Sequence, residues 1–291
     1  TAAGKSVIQA GFLKDLLEKW PAQRVLCVTH VKELVAQNHL ALSRTWPEAP
    51  AGVYSAALNR RDTRQPIIFA SIQSVYKRAH ELGWFDLILI DECHLVPVKT
   101  ADGMYRKFID AAKGYNKNLK VMGFTATPYR LDNGLLVDGE NRLFTDIIPA
   151  KATGMDMDAL LEKGYLAPLT TEPVKTHIDT RDVTIKGGEF VLKELAAEVD
   201  KPDITQAACN EIIKLGSNRK SWLLFATTVD HAWHIAQCLK GLGVTSEVIT
   251  GETPQGVRER IITDYKSGHV KALVNVNVLT TGFDAPQTDL L

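Results

Sequence analysis

The sequence predicts an α/β protein in two lobes, each a parallel sheet flanked by helices. Three observations predict it. Short apolar runs alternate with helix-patterned segments, which is the rhythm of βαβ units. That rhythm lapses after Thr145 and later returns. A chain of 291 residues is long enough for two domains with real cores. Hydrophobic residues make up 45%, and 34 basic residues balance 34 acidic ones. Neutrality excludes a polybasic protein that coats nucleic acid by bulk charge, so any such contact must come from a local surface.

The elements follow in order. "VIQAGFLKDLLEKW" is an amphipathic helix, "RVLCVTH" a strand and "VKELVAQNHLALSR" a helix. "PIIFAS" is a strand, "IQSVYKRAHEL" a helix, and "FDLILID" and "KVMGFTAT" are strands. The segment "DMDALLEKGYLAPLTTEP" reads as a helix, a Gly stop and an extended piece at a domain junction. "DVTIKGGEF" reads as a polar loop with paired glycines. The second lobe then gives "DITQAACNEIIKLG" (helix), "SWLLFATT" (strand), "VDHAWHIAQCLKGLG" (helix), "SEVITG" (strand), "PQGVRERIITDYKSG" (helix) and "KALVNVN" (strand). The expected domains are residues 1–150 and 151–291. No apolar run is long enough to span a bilayer, and no signal peptide is read. The four cysteines, Cys27, Cys93, Cys209 and Cys238, show no CxxC and no zinc-type spacing. A reduced, cytoplasmic setting is the expectation.

Two stretches carry chemistry. "LILIDECHLV", residues 87–96, is an apolar run that ends in Asp91 and Glu92. One reading is a solvated strand end. The other is a pair of carboxylates at the carboxyl end of an interior parallel strand, where open α/β sheets bind ligands. Such acids can hold a cation and orient a water. "TAAGKS", residues 1–6, opens a helix. Alone it is an ordinary helix start, or else the end of a phosphate-binding loop. In the second case backbone N–H groups cradle phosphate, Lys5 reaches the β and γ phosphates, and Ser6 offers its hydroxyl to Mg2+. The two stretches in this order within one α/β lobe are the two halves of an NTPase site. Asp91 then binds Mg2+ and Glu92 polarises the attacking water.

With these stretches on the page, the sequence resembles the superfamily 2 helicases. "DECH" is similar to their DEAD/DEAH box, "VTHVKELVAQ" and "ASIQSV" to two further motifs of the first lobe, and "GFTATPYR" to the S/T-A-T motif. "LLFATTVDHA", "VITGETPQGVRERIITDYKSG" and "NVNVLTTGFDAP" resemble stations of the second lobe. Within the superfamily the resemblance is to the RadD-type bacterial DNA-repair helicases, through "HVKELVAQNH", "DECH", "GYLAP" and "LTTGFDAP".

The resemblance implies two RecA-like lobes and an ATP hydrolase that moves along nucleic acid, with ATP and Mg2+ as cofactors. It implies ATP contacts from Ala3, Gly4, Lys5 and Ser6, and from Gly282 and Asp284, which also read as a turn. It implies that His94, Thr125 and Thr127 couple ATP state to nucleic-acid grip, although a packing histidine and a loop cap are equally ordinary readings. Candidate nucleic-acid backbone contacts are Thr29, His30, Lys32, Gln73, Thr227, Thr250, Gly251, Arg258 and Thr280. Arg130 pairs with a surface acid or reaches a cleft, and the sequence leaves both open.

Ala2 stands where many family members have Gly. The chain as given starts inside the phosphate loop and stops before the family's arginine motif, so low activity in isolation is an expectation. DNA is the expected partner, with repair or recombination proteins beside it, no membrane and an undetermined oligomeric state. The alternatives are an RNA helicase of the same superfamily and a nucleic-acid-binding fragment without turnover.

Overall fold

The computed structural model of the chain describes residues 4–30, 32–96, 103–130, 134–139, 142–149, 156–171, 173, 175–176, 178–186, 189–279, 283 and 285–291. The chain divides into two compact units, Thr1–Pro168 and Leu169–Leu291. The "GYLAP" segment, residues 164–168, thus falls in the first unit.

Unit 1 runs α1 (Lys5–Lys19), β1 (Val25–Thr29), α2 (Lys32–Thr45), β2 (Ala51–Ser55), β3 (Arg60–Arg61), β4 (Ile67–Ser71), α3 (Ile72–Val75), α4 (Ala79–Leu82), β5 (Leu87–Asp91), α5 (Met104–Tyr115) and β6 (Lys120–Phe124). A small hairpin, β7 (Tyr129–Arg130) and β8 (Gly134–Leu135), and α6 (Met157–Glu162) follow. The sheet order is β3-β2-β4-β1-β5-β6. Every pairing is parallel except that of β3, which lies antiparallel on the edge.

Successive strand residues point to opposite faces, so each strand feeds two cores. Val25, Cys27, Ile67, Phe69, Leu87 and Leu89 pack with Leu13 and Leu17 of α1 and Val35 and Leu42 of α2. Leu26, Val28, Ile68, Ala70, Ile88 and Ile90 pack with Tyr105, Phe108 and Ile109 of α5. Each fully buried aliphatic or aromatic side chain contributes about 1.5–3 kcal/mol relative to exposure. The strand order turns back at β1, with β2 and β4 on one side and β5 and β6 on the other, so the carboxyl ends of β1, β4 and β5 border the crevice where such sheets bind ligands.

Unit 2 runs β9 (Ile185–Lys186), β10 (Glu189–Phe190), α7 (Leu192–Val199), α8 (Pro202–Leu215), β11 (Trp222–Phe225), α9 (Val229–Gly241), β12 (Ser246–Ile249), α10 (Gln255–Lys266) and β13 (Ala272–Asn275). Its main sheet is parallel, in the order β11-β13-β12. Trp222, Val248, Ala272 and Val274 face α8 and α9, whereas Leu223, Ile249 and Leu273 face Ile261 and Tyr265 of α10.

Several local features differ from the sequence expectation. The helix expected over residues 72–82 is broken into α3 and α4. Arg78 leaves helical geometry at φ −122°, and its carbonyl accepts the Glu81 N–H at 3.0 Å to start a new turn. β2 and α5 were not anticipated, because "AGVYS" offers three small residues in five and "MYRKFIDAAKGY" follows no start signal. The "DVTIKGGEF" segment is not merely a loop. β9 and β10 pair antiparallel, Lys186 with Glu189 and Ile185 with Phe190.

Candidate functional site

The site forms where α1 begins and β5 ends. Gly4 caps α1 with φ 68° and ψ 27°, a left-handed conformation that glycine adopts without a Cβ penalty. This turn delivers Lys5 and Ser6 at the helix start. β5 carries Asp91 out of a fully buried strand. Glu92 follows at φ 51° and ψ 50°, a region costing a non-glycine residue on the order of 1–3 kcal/mol. Strain of this kind persists only where the surroundings hold it.

Here they do. The Lys5 ammonium donates to Glu92 Oε1. The Glu92 N–H donates to Asp91 Oδ1 at 3.0 Å. Asn38 of α2 donates from Nδ2 to Asp91 Oδ2 at 2.9 Å and accepts from the Ser6 hydroxyl at 2.7 Å. Asp91 and Glu92 are 6% and 5% exposed, so bare carboxylates would be costly there without these partners. The solvated strand end is thereby set aside: the two acids are buried and hydrogen-bonded.

On the other side of Glu92, His94 Nδ1 lies 3.4 Å from Glu92 Oε2. The same nitrogen shares a hydrogen bond with Thr125 Oγ1 at 2.9 Å. Thr125 Oγ1 in turn accepts the Thr127 N–H at 3.0 Å. The carboxyl ends of β5 and β6 are therefore linked through one imidazole. Tyr105 of α5 places a buried phenol nearby that has no hydrogen-bond partner among the described residues. Burial, then the charges of Asp91 and Cys93, push its hydroxyl well above the usual tyrosine range.

Beside this cluster a shallow pocket of about 440 Å³ is lined by His30, Arg61, Ser71, Gln73, Ser74 and Arg78, with Tyr54, Ala56 and Ala57. Gln73 Nε2 donates to the His30 carbonyl at 2.8 Å, and the His30 ring stacks on Tyr105 at 6.5 Å. Two guanidinium groups and several hydroxyl and amide groups at strand ends suit phosphate oxygens, because such contacts position a backbone without reading its sequence.

Of the other expected residues, Lys32 begins α2. Thr29 is 2% exposed, and its buried hydroxyl has no partner among the described residues. In unit 2, Thr227 lies just past β11, and its Oγ1 meets His231 Nδ1 at 3.0 Å. Thr250 and Gly251 follow β12. Thr250 is buried, and its carbonyl accepts from Arg258 Nη2 at 2.9 Å. These residues share the carboxyl edge of a parallel sheet. The Arg130 side chain, Ala3, Thr280, Gly282 and Asp284 lie outside the described residues.

Ser6 and Asp91 offer the hard oxygen donors that Mg2+ takes when phosphates complete its shell, and Asn38 already brings the two together. The residues present therefore fit the cation. Sequence reasoning missed Asn38 and Tyr105, and also Gly123, where a side chain would meet Cys93 and Phe144. The available signal for Asn38 was an amide in line with Leu34, Val35 and Leu42, on the apolar stripe of α2.

Residues 1–130 match the family model described as "Type III restriction enzyme, res subunit", and residues 204–291 match "Helicase conserved C-terminal domain". IRC3 of Saccharomyces cerevisiae, which carries an ATP-dependent helicase name, is 25% identical over 302 residues, covering 100% of this chain and 42% of its own length. A Haloarcula marismortui protein named as a DNA 3'-5' helicase, Rad25, is 26% identical over 208 residues, covering 70% of this chain and 29% of its own. The solved structure of S. cerevisiae Dbp5 bound to RNA and ADP BeF3 aligns with TM-score 0.57 at 15% identity, over 99% of this chain and 66% of its own. That last likeness is one of fold. The chain spans about half the length of the curated relatives it matches.

Proposed function

The chain belongs to the superfamily 2 helicases, and from that premise we propose that it is the ATP-hydrolysing motor part of a nucleic-acid helicase or translocase acting on DNA. One observation carries the reading. Lys5, Ser6, Asp91 and Glu92, from the start of α1 and the end of β5, meet in one hydrogen-bonded cluster with Asn38.

The chemistry follows from those groups. The Gly4 turn and the first N–H groups of α1 cradle phosphate. The Lys5 ammonium rests on Glu92 in this structure. When it moves to the β and γ phosphates it frees a carboxylate beside the attacking water. Glu92 then orients that water and takes its proton. Ser6 and Asp91 would hold Mg2+, which would supply charge neutralisation at the phosphates. The His94–Thr125 bond carries a change at Glu92 to the end of β6, so that nucleotide state and nucleic-acid grip are coupled through Thr125 and Thr127.

His30, Gln73, Arg61 and Arg78 hold phosphates of the strand in the pocket beside the site. Thr227, Gly251 and Arg258 do so in unit 2, where Arg258 also braces the Thr250 turn. The name of the Haloarcula relative supports DNA, and repair or recombination proteins are the partners that follow. Four free thiols agree with a reducing, cytoplasmic setting. No helix among the described residues is long and apolar enough to cross a membrane.

The test is phosphate release by the full chain with matched single-stranded DNA and RNA. Stimulation by DNA and its loss in Lys5→Ala are expected. Stimulation by RNA alone would move the substrate to RNA, and nucleotide binding without any turnover would make the chain a binding fragment.

A further inference from the structure

Asn38 belongs to none of the phosphate-loop, acid-pair or threonine motifs, yet it is the residue that joins the first two. It is 4% exposed and lies 32 residues from Ser6 and 53 from Asp91 in sequence. Its orientation is fixed by its partners. The Asp91 carboxylate can only accept, so the amide must turn its NH2 toward Asp91 and its carbonyl toward Ser6. The Ser6 hydroxyl then gives its proton to the Asn38 carbonyl at 2.7 Å. Its lone pairs are left facing away from the amide.

The same logic applies to Asp91. Oδ2 is held by Asn38 at 2.9 Å and Oδ1 by the Glu92 N–H at 3.0 Å, so among the described residues each oxygen has its own donor and the two bonds set the orientation of the carboxylate. Each pinned oxygen keeps a lone pair. One buried amide thus prepares a hydroxyl and a carboxylate as a matched pair of oxygen donors, before any ligand arrives.

We infer that Asn38 is a positioning residue for the divalent cation, setting the Ser6 and Asp91 oxygens for Mg2+ without touching it. The inference rests on the nucleotide-site reading above. Groups that orient metal ligands from behind are worth about ten- to a hundredfold in metal affinity. The alternative is a buried amide that only stabilises the packing of α2 against the sheet.

The experiment is binding of a fluorescent N-methylanthraniloyl ADP to the full chain, in EDTA and across a Mg2+ titration. Thermal unfolding without nucleotide is measured alongside. In Asn38→Leu, the Mg2+ concentration at half-maximal enhancement of binding should rise about tenfold or more, while binding in EDTA stays at the parent level. Asn38→Ala gives the same readout should the leucine variant fail to fold. In a Ser6→Ala background the shift caused by Asn38→Leu should shrink, since the two residues act through one bond. An unchanged Mg2+ midpoint in a folded variant overturns the inference. So does an equal loss of binding with and without Mg2+, which is the behaviour of a purely structural amide. Lys5→Ala separates the two readings, because it should weaken binding under both conditions. A parent chain that binds no nucleotide at all overturns the proposed function and this inference with it.

Discussion

The two units arrange their polar groups in opposite ways. In unit 1 the hydrogen bonds that matter join distant parts of the chain: Lys5 and Glu92 are 87 residues apart, Asn38 and Asp91 are 53 apart, and His94 and Thr125 are 31 apart. In unit 2 the bonds among the expected contact residues close within a few residues, 4 for Thr227 and His231, 3 for Thr250 and Thr253, and 8 for Arg258 and Thr250. The first pattern is a site that exists only once the sheet has assembled. The second is a set of shaped strand ends, each made by its own turn. Chemistry that needs groups fixed to fractions of an ångström is expected where the fold holds them from several elements. Contact with a repetitive phosphate backbone needs only placement.

The largest test of this contrast is Glu92→Gln. It keeps the shape of the side chain and removes the base. Turnover should fall by roughly two to four powers of ten, with nucleotide binding retained. Steady-state phosphate release and a binding titration on one preparation check it. A variant that turns over at the parent rate would take Glu92 out of the chemistry and would leave unit 1 with an assembled cluster that has no catalytic use.

Next in size is Gly123. A Cβ built there would lie 2.6 Å from Cys93 Sγ and 2.6 Å from the Phe144 ring, inside a packed core with little room to give. Gly123→Val should cost about 1–3 kcal/mol through overpacking, and it should also displace the turn that carries Glu92 and His94. Urea unfolding measures the first effect. A loss of turnover larger than the loss of folded protein measures the second. If stability falls and the residual folded chain is fully active, the turn tolerates strain and the long-range site is less tightly held than its bonds suggest.

Much of unit 1 was legible in the sequence. Lys5, Ser6, Asp91, Glu92, His94 and Thr125 stand in two or three short stretches whose residue types declare their chemistry, and the fold brings them together. Asn38 was not legible. An amide in a helix stripe is noticed only when its two partners are known, and those lie on α1 and β5. Gly123 was hidden for a related reason, because its need for no side chain depends on the register of β6 against β5 and on a ring from a later loop. Thr29 and Thr250 show the converse. Their positions at strand ends suggest exposure, whereas the sheets bury both. The alternating rhythm sufficed for the layers but not for β2, α5 or the β9–β10 pair, where short or mixed patterns left too little signal.

A smaller effect is expected at His94. His94→Ala removes the bond to Thr125, worth about 0.5–1.5 kcal/mol, and leaves Lys5, Asp91 and Glu92 in place. Turnover without nucleic acid should change little, and its stimulation by DNA should fall roughly two- to tenfold. Phosphate release with and without DNA decides the matter. Equal reduction of both rates would mean that His94 supports Glu92 and carries nothing onward to β6.

The smallest effect belongs to unit 2 and tests its local character. The half-buried His231 ring accepts the Thr227 N–H at Nδ1, 3.4 Å away, and meets the Thr227 hydroxyl. Burial lowers its pKa below the usual histidine value, Asp200 works against that, and His234, itself paired with Asp200, adds to it. The sign of the pH dependence follows. With the folded value below the unfolded one, the unfolded chain binds the proton first as pH falls. The stability that His231 contributes is therefore complete above about pH 6.5, the unfolded histidine value, and is lost as pH drops through the folded value. His39 of unit 1, lowered chiefly by burial, then by Arg60 and against the pull of Asp62, shifts the same way, so the parent chain alone cannot assign the slope. Thermal unfolding of parent and His231→Gln at pH 7.5 and pH 5.5 separates them: the variant should lose less stability over that interval. Because the ring's contacts to Thr227 are confined to one turn, nucleotide binding in unit 1 should be the same for both chains. An identical pH slope in parent and variant would assign the whole effect to other groups, and a change in nucleotide binding would show that the turn after β11 reaches beyond its own strand end.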